Sequence, residues 1–172
     1  MLRIDLGLVR AGAVETPGQV EPSDPLWKGT EVSLAGPLLI DGRFSSAGEG
    51  KYYWHARMAT VLRLECRRCL TPVEEPLSQD LQLVFVAEED ALDDDVGCYV
   101  IPSRAAELDL RDAVREELVL AMPRFVECSP ECRGLCPECG ANLNAGPCGC
   151  RPRRDPRWGA LDGLLPGRAH KD

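Results

Sequence analysis

Histidine is almost missing from this sequence: His55 and His170 are its two residues of that type, and neither lies near a cysteine pair in the chain. A catalytic zinc keeps an open coordination position and typically uses histidine with a nearby glutamate as general base, so that reading of a metal site is excluded. Both histidines are expected to be exposed side chains. Long apolar runs are missing too. No segment reaches the roughly twenty apolar residues of a membrane span, and the opening MLRIDLGLVR carries Arg3, Asp5 and Arg10 where an export signal needs an uncharged run. A cytoplasmic protein is therefore expected. There is also no glycine-rich phosphate loop, no G-x-S-x-G elbow, no defensible pair of catalytic carboxylates, no internal repeat and no low-complexity tract. Nothing in the residues demands an enzyme.

Cysteine is what the chain has in excess. It holds nine, and six of them fall between Cys128 and Cys150. In a reducing compartment clustered cysteines favour metal over disulfides, and an odd count suits a disulfide framework poorly. Cys136 and Cys139 form a C-x-x-C followed by Gly140, the pattern of a knuckle in which a tight turn aims two thiolates at one ion. Cys148 and Cys150 supply a second pair. Farther upstream stand Cys66 and Cys69, and between the two motifs Cys128 and Cys132. Thiolates are soft ligands that suit zinc or iron and sulfur, and four of them close a structural zinc site. The spacing gives two such sites, Cys136, Cys139, Cys148 and Cys150 in one, Cys66, Cys69, Cys128 and Cys132 in the other, the latter clipping a strand end to a helix end. A single site of Cys128, Cys132, Cys136 and Cys139 competes, and spacing leaves both open. Cys98 stands alone and is expected in the core. A different chemistry is thiol redox at Cys66 and Cys69, since Arg67 and Arg68 between the sulfurs would depress a thiol pKa. The absence of a βαβ pattern around the motif counts against it.

Hydropathy points to an α+β fold rich in antiparallel strands. Apolar residues alternate at Leu2, Ile4, Leu6 and Leu8, at Val32, Leu34, Leu38 and Ile40, along the even positions from Tyr52 to Leu64, and along the odd positions from Leu81 to Ala87. Four one-sided strands with turns such as SSAGEG predict a bent sheet or small open barrel. The segment 11–25 reads as a long loop and EEDALDDD, 88–95, as a solvated loop. One main helix is expected over about 109–122, with Asp109 as cap, Pro123 as stop, and a stripe of Leu110, Val114, Leu118, Ala121 and Met122 that covers the open face of the sheet. A short second helix is expected from near Asp155. The chain thus divides into a β-rich part, 1–126, and a cysteine-rich zinc-knuckle module with a basic tail, 127–172.

Charge follows the same division. Residues 1–150 sum to −11 and residues 151–172 to +3. An acidic body argues against coating nucleic acid nonspecifically. Local basic character collects at the cysteines: Arg67 and Arg68 inside one knuckle, Arg133 inside the cluster, Arg151, Arg153, Arg154 and Arg157 after it, with Trp158 beside them. Metal sites that joined these segments would create one positive face suited to structured RNA, arginine meeting phosphate and an aromatic stacking on a base. The plainer alternative is that the arginines offset the acidic body and that Trp158 is the core of the second helix.

The strings CRRCL at 66–70, DLRDAVREELVLAMP at 109–123, CSPECRGLCPECGANLN at 128–144 and DPRWGALDGL at 155–164, in that order, resemble the YceD family of large ribosomal RNA subunit accumulation proteins. The eight clustered cysteines stand where the family motif has them, as do Leu70, Gly134, Leu135, Pro137, Gly140, Asn142, Leu143, Asn144, Asp155, Pro156, Arg157 and Leu161. The resemblance implies a non-enzymatic factor of bacteria and plastids needed for accumulation or processing of 23S ribosomal RNA. Its implied partners are precursor 23S ribosomal RNA, a large-subunit ribosomal protein, or both. No catalytic residue comes with it, and the loop 11–30 and Cys98 are peculiar to this chain.

Overall fold

A computed structural model of the chain describes residues 2–48, 50–88, 98–102, 104–151 and 157. In chain order the elements are β1 (Arg3–Asp5), α1 (Leu6–Ala11), β2 (Val14–Glu15), β3 (Gly18–Val20), a 3-10 turn at Pro25–Trp27, β4 (Leu38–Gly48), β5 (Lys51–Glu65), β6 (Pro72–Ala87), β7 (Tyr99–Ile101), β8 (Glu107–Asp109) and α2 (Arg111–Ala121). The main sheet is open and runs β2-β4-β5-β6-β7, with β3 also on β4, while β1 and β8 pair separately. All pairs are antiparallel except β6 with β7, which is parallel. The fold is thus sheet-rich with one main helix, as the hydropathy predicts, apart from that one parallel pair.

The even residues of β5 are the buried ones. Tyr52, Trp54, Ala56, Met58 and Leu62 share one core with Leu38, Ile40 and Phe44 of β4, Leu81, Leu83 and Phe85 of β6, and Leu110, Val114 and Leu118 at α2. That is the expected stripe against the expected face. Trp54 lies at its centre: its side chain is fully buried and its indole N–H donates to Thr16 Oγ1 at 2.8 Å. Phe44 meets Phe85 edge-on at 5.3 Å. The helix is held by polar contacts as well: from outside the sheet by Asp24 paired with Arg111, and from the β7 edge by Tyr99, which donates to Glu117 Oε1 at 3.2 Å.

Several expected elements differ, each for a local reason. The alternation Leu2 to Leu8 is a strand only as far as Asp5, whose carboxylate accepts from Gly7 N at 2.7 Å and caps α1, so that Leu6 and Val9 are buried by helical spacing. Of the run 32–40, Leu34 makes an isolated bridge to Leu62 and the strand begins at Leu38, after Pro37. The supposed loop 11–25 contains β2 and β3, which pair with β4 on either side of Pro17. In the other direction β6 is longer than its alternation suggests, because Pro72 and Pro76 lie where β5 is its sole strand partner among the described residues and an absent N–H leaves no ladder bond unmade. Cys98 is half-buried, not a core residue, and His55 is exposed. The acidic run from 89 onward, His170 and the second helix near Asp155 lie outside the described residues. No helix among the described residues is long and apolar enough to cross a membrane.

Gly42 shows how tightly the β2–β4–β5 contact is built. It faces Ala56 across β4 and β5, and an added Cβ would sit 2.5 Å from Ala56 Cβ and 2.9 Å from both His55 O and Thr16 Oγ1. Glycine in a strand normally costs stability relative to alanine. Here the sign should reverse: Gly42→Ala is expected to destabilise by roughly 1–3 kcal/mol through overpacking. Thermal unfolding would show this as a lower Tm, and a Tm at or above that of the parent would contradict the packing argument.

Candidate metal centre

Two turns of matching hydrogen-bond pattern carry the C-x-x-C motifs. In the first, between β5 and β6, Leu70 N donates to Cys66 O at 2.8 Å and Cys66 N to Thr71 O at 2.9 Å. In the second, Gly140 N donates to Cys136 O at 2.9 Å and Cys136 N to Ala141 O at 2.8 Å. The residue after each second cysteine has positive φ, 72° at Gly140 and 58° at Leu70. Glycine takes that conformation freely, whereas leucine is strained by about 1–2 kcal/mol, and Leu70 is moreover exposed.

The structure places each turn against a different cysteine pair. Cys66, Cys69, Cys128 and Cys132 form one group, Cys136, Cys139, Cys148 and Cys150 another, with the four sulfurs of each within 4.8 Å of one another. The competing set of Cys128, Cys132, Cys136 and Cys139 is not assembled. In the first group Cys66 Sγ is 3.8 Å from Cys132 Sγ and Cys69 Sγ is 3.5 Å from Cys128 Sγ. Four sulfurs at zinc–sulfur distance in a tetrahedron lie about 3.8 Å apart, whereas a disulfide would need about 2.05 Å. Both groups could therefore hold a metal ion. They differ in setting. Cys66, Cys69 and Cys132 are buried beside Val73 and Leu135, whereas Cys139 and Cys150 of the second group are exposed.

Proton affinities within each group are split. Cys66 is lowered to about 6, first by the backbone N–H of Cys128 and then, against burial, by those of Arg68 and Cys69. Guanidinium groups are not the cause. Cys128 is pushed up to about 12 by hydrogen bonding to the Cys69 and Cys132 sulfurs and by burial. In the second group Cys136 is lowered to about 7, led by the backbone N–H of Cys139, and Cys150 is raised to about 12 by the Cys139 sulfur and burial. Four anions this close cannot all ionise unaided, and a divalent cation is the group that lets them.

The two groups are docked on each other. Leu135 N donates to Arg68 O at 3.0 Å, and Gly134 has φ 75° and packs so closely that an added Cβ would lie 3.0 Å from that same oxygen. Arg67 N donates to Val126 O at 2.9 Å, which ties the first turn to the chain after α2.

Of the arginines singled out from the sequence, Arg67, Arg68, Arg133, Arg151 and Arg157 are exposed, and Arg153, Arg154 and Trp158 lie outside the described residues. Arg67 is engaged: its Nη2 is 2.8 Å from Glu127 Oε1 and its guanidinium carbon lies 5.1 Å from the Phe125 ring centroid. Arg68, Arg133 and Arg151 have no carboxylate partner among the described residues. Phe125, 72% exposed, is an aromatic beside this face that sequence reasoning did not reach. Nothing in its local sequence marks it, because its place is set by the Arg67 contact.

Comparison with known proteins gives a consistent set. The family described as large ribosomal RNA subunit accumulation protein YceD matches residues 54–165. An uncharacterized protein of Mycobacterium tuberculosis is 33% identical over 136 residues, covering 76% of this chain and 63% of its own length. The chloroplastic large ribosomal RNA subunit accumulation protein YCED homolog 1 of Zea mays is 26% identical over 191 residues, 94% of this chain and 60% of its own, and that of Arabidopsis thaliana 33% over 133 residues, 61% and 41%. The chain thus spans less than two thirds of the length of each. No solved structure matches it.

Proposed function

Because this chain belongs to the family of large ribosomal RNA subunit accumulation proteins, we propose that it supports 23S ribosomal RNA accumulation as a non-enzymatic binding factor whose arginine-bearing knuckle face engages precursor ribosomal RNA. The observation that carries this reading is the clustering of exposed Arg68, Arg133 and Arg151 on cysteine-bearing segments of an otherwise acidic chain, with exposed Phe125, on the segment after α2, in contact with the Cys66–Cys69 knuckle through Arg67. Arginine meets phosphate and an exposed ring accepts a splayed base. Closed sets of four thiolates suit Zn2+ in a structural role, where the ion would supply folding energy and hold the arginine-bearing turns in register. Each set offers sulfur ligands only, which fits a closed site and not a catalytic one.

Ultraviolet crosslinking of the tagged protein in cells, with sequencing of attached RNA, tests the partner. Reads should concentrate on one region of precursor 23S RNA. Charge reversal at Arg151, Arg153 and Arg154 should then weaken RNA binding by roughly thirtyfold to a hundredfold and flatten its log–log salt dependence by about 2–3. Background reads, with a known RNA binder crosslinking well in parallel, would shift the partner to a basic large-subunit ribosomal protein held by the acidic body.

A further inference from the structure

Hydrogen bonds from the second cysteine group terminate on sulfurs of the first. Cys139 and Cys148 bracket a short loop that carries Asn142 and Asn144. Asn144 Nδ2 donates to Cys132 Sγ at 3.4 Å while its Oδ1 accepts from Arg133 N at 2.8 Å. Asn142 Oδ1 accepts from Asn144 N at 2.9 Å, and its Nδ2 donates to Thr71 Oγ1 at 3.3 Å. Thr71 Oγ1 in turn lies 3.2 Å from Cys69 Sγ. Both amide ends of both asparagines are thus used, and their orientation is fixed. Two chains leave the loop: Asn144 to Cys132 directly, and Asn142 to Cys69 through the Thr71 hydroxyl. They reach one cysteine from each half of the buried group, Cys69 from the β5–β6 turn and Cys132 from the segment after α2.

We infer that the two cysteine groups form one coupled binuclear metal unit, in which filling the exposed site orders the Asn142–Asn144 loop and thereby tightens metal binding at the buried site. The coupling rests on the reading that both groups hold zinc, and adds that they do not fill independently. Metal at Cys136, Cys139, Cys148 and Cys150 closes the loop at both ends, so the asparagines are positioned before the buried thiolates need their donors. An N–H or O–H aimed at a metal-bound thiolate stabilises its negative charge, and loss of such partners typically costs about tenfold to a hundredfold in metal affinity. Coupling is reciprocal, so metal in the buried site tightens the exposed one by the same factor. Asn142, Asn144 and Thr71 are positioning residues here and touch no metal.

The test is titration of the full chain with Co2+ after removal of metal under reducing conditions, following the thiolate-to-cobalt charge-transfer absorption. The parent should take up two equivalents. In Cys139→Ser/Cys150→Ser the buried site should still bind one Co2+ but about tenfold to a hundredfold more weakly. Asn144→Ala should keep two equivalents, weaken the buried site by a similar factor, and move its charge-transfer band to lower energy, because a thiolate without its donor gives up an electron more readily. Thr71→Val cuts the second chain and should act in the same direction, which covers the case in which Asn144→Ala misfolds. Buried-site affinity within twofold of the parent in all three variants would overturn the coupling while leaving two independent sites. Failure of the parent to bind metal at all would overturn the reading beneath it.

Discussion

Cys66→Ser is expected to release one of two metal equivalents per chain and to lower the melting temperature by roughly 10 °C. Cys66 is fully buried, and its sulfur sits 3.8 Å from Cys132 Sγ with Arg68 N donating to it at 3.4 Å. Serine offers a hard, poorly ionised oxygen in place of a soft thiolate, so the buried set loses a ligand it cannot replace. The consequence is mechanical as well as chemical. This set joins the end of β5 to the segment after α2, across about sixty residues of sequence, and the other contacts that do so are polar or exposed: Arg67 N to Val126 O, the Arg67–Glu127 pair, Arg67 on the Phe125 ring, Leu135 N to Arg68 O and Asn142 to Thr71. With free metal a thousandfold above its dissociation constant, one site contributes about 4 kcal/mol to folding, and a chain of this size loses about 2–4 °C per kcal/mol. Zinc counted per chain, together with a thermal melt, checks both parts. The outcome also separates the two chemistries open to Cys66 and Cys69. A redox dithiol predicts that Cys66→Ser abolishes activity without releasing any metal and with melting unchanged, and that result would remove the structural clip.

How far such a site can be seen in the sequence depends on whether its determinants are local. The β5 alternation is legible because fifteen residues keep one period, and α2 because its stripe and its stop at Pro123 agree. β2 and β3, two and three residues long, leave no period of their own and exist because β4 offers an edge. At Leu2 to Leu8 the same residues fit two periods, and the Asp5 cap decides between them after the first four. The cysteines follow this rule. Spacing yields the pairs, since each C-x-x-C is a self-contained turn, but which pair meets which is set by the β5–β6 hairpin delivering Cys66 and Cys69 to the chain after α2. Asn142 and Asn144 stand out as motif residues without revealing a role, because their partners Thr71 and Cys132 are 71 and 12 residues away.

Trp54→Ala is expected to cost about 3–5 kcal/mol, and yet to leave both metal equivalents in place. The side chain is fully buried, at the register point where β5 faces Phe44 on one side and Leu83 on the other. Removing it opens a cavity that a sheet cannot collapse to fill. It also orphans the hydroxyl of Thr16, itself buried, which adds about 1 kcal/mol. Against a total stability of about 5–15 kcal/mol this is a large fraction. The urea midpoint, followed by circular dichroism, should fall by about 2 M for a slope near 2 kcal/mol/M. Trp54→Phe keeps the ring and loses the indole donor, so it should retain more than half of the lost stability. The metal result follows from geometry: Trp54 and Cys66 are twelve residues apart on and just beyond one strand, about 40 Å at strand rise. Effects at that separation add. Trp54→Ala/Cys66→Ser should therefore lose the sum of the two single penalties, within about 0.5 kcal/mol. Loss of metal from Trp54→Ala alone, in a chain still folded by circular dichroism, would mean that core and clip are one cooperative structure and that the arginine face depends on both.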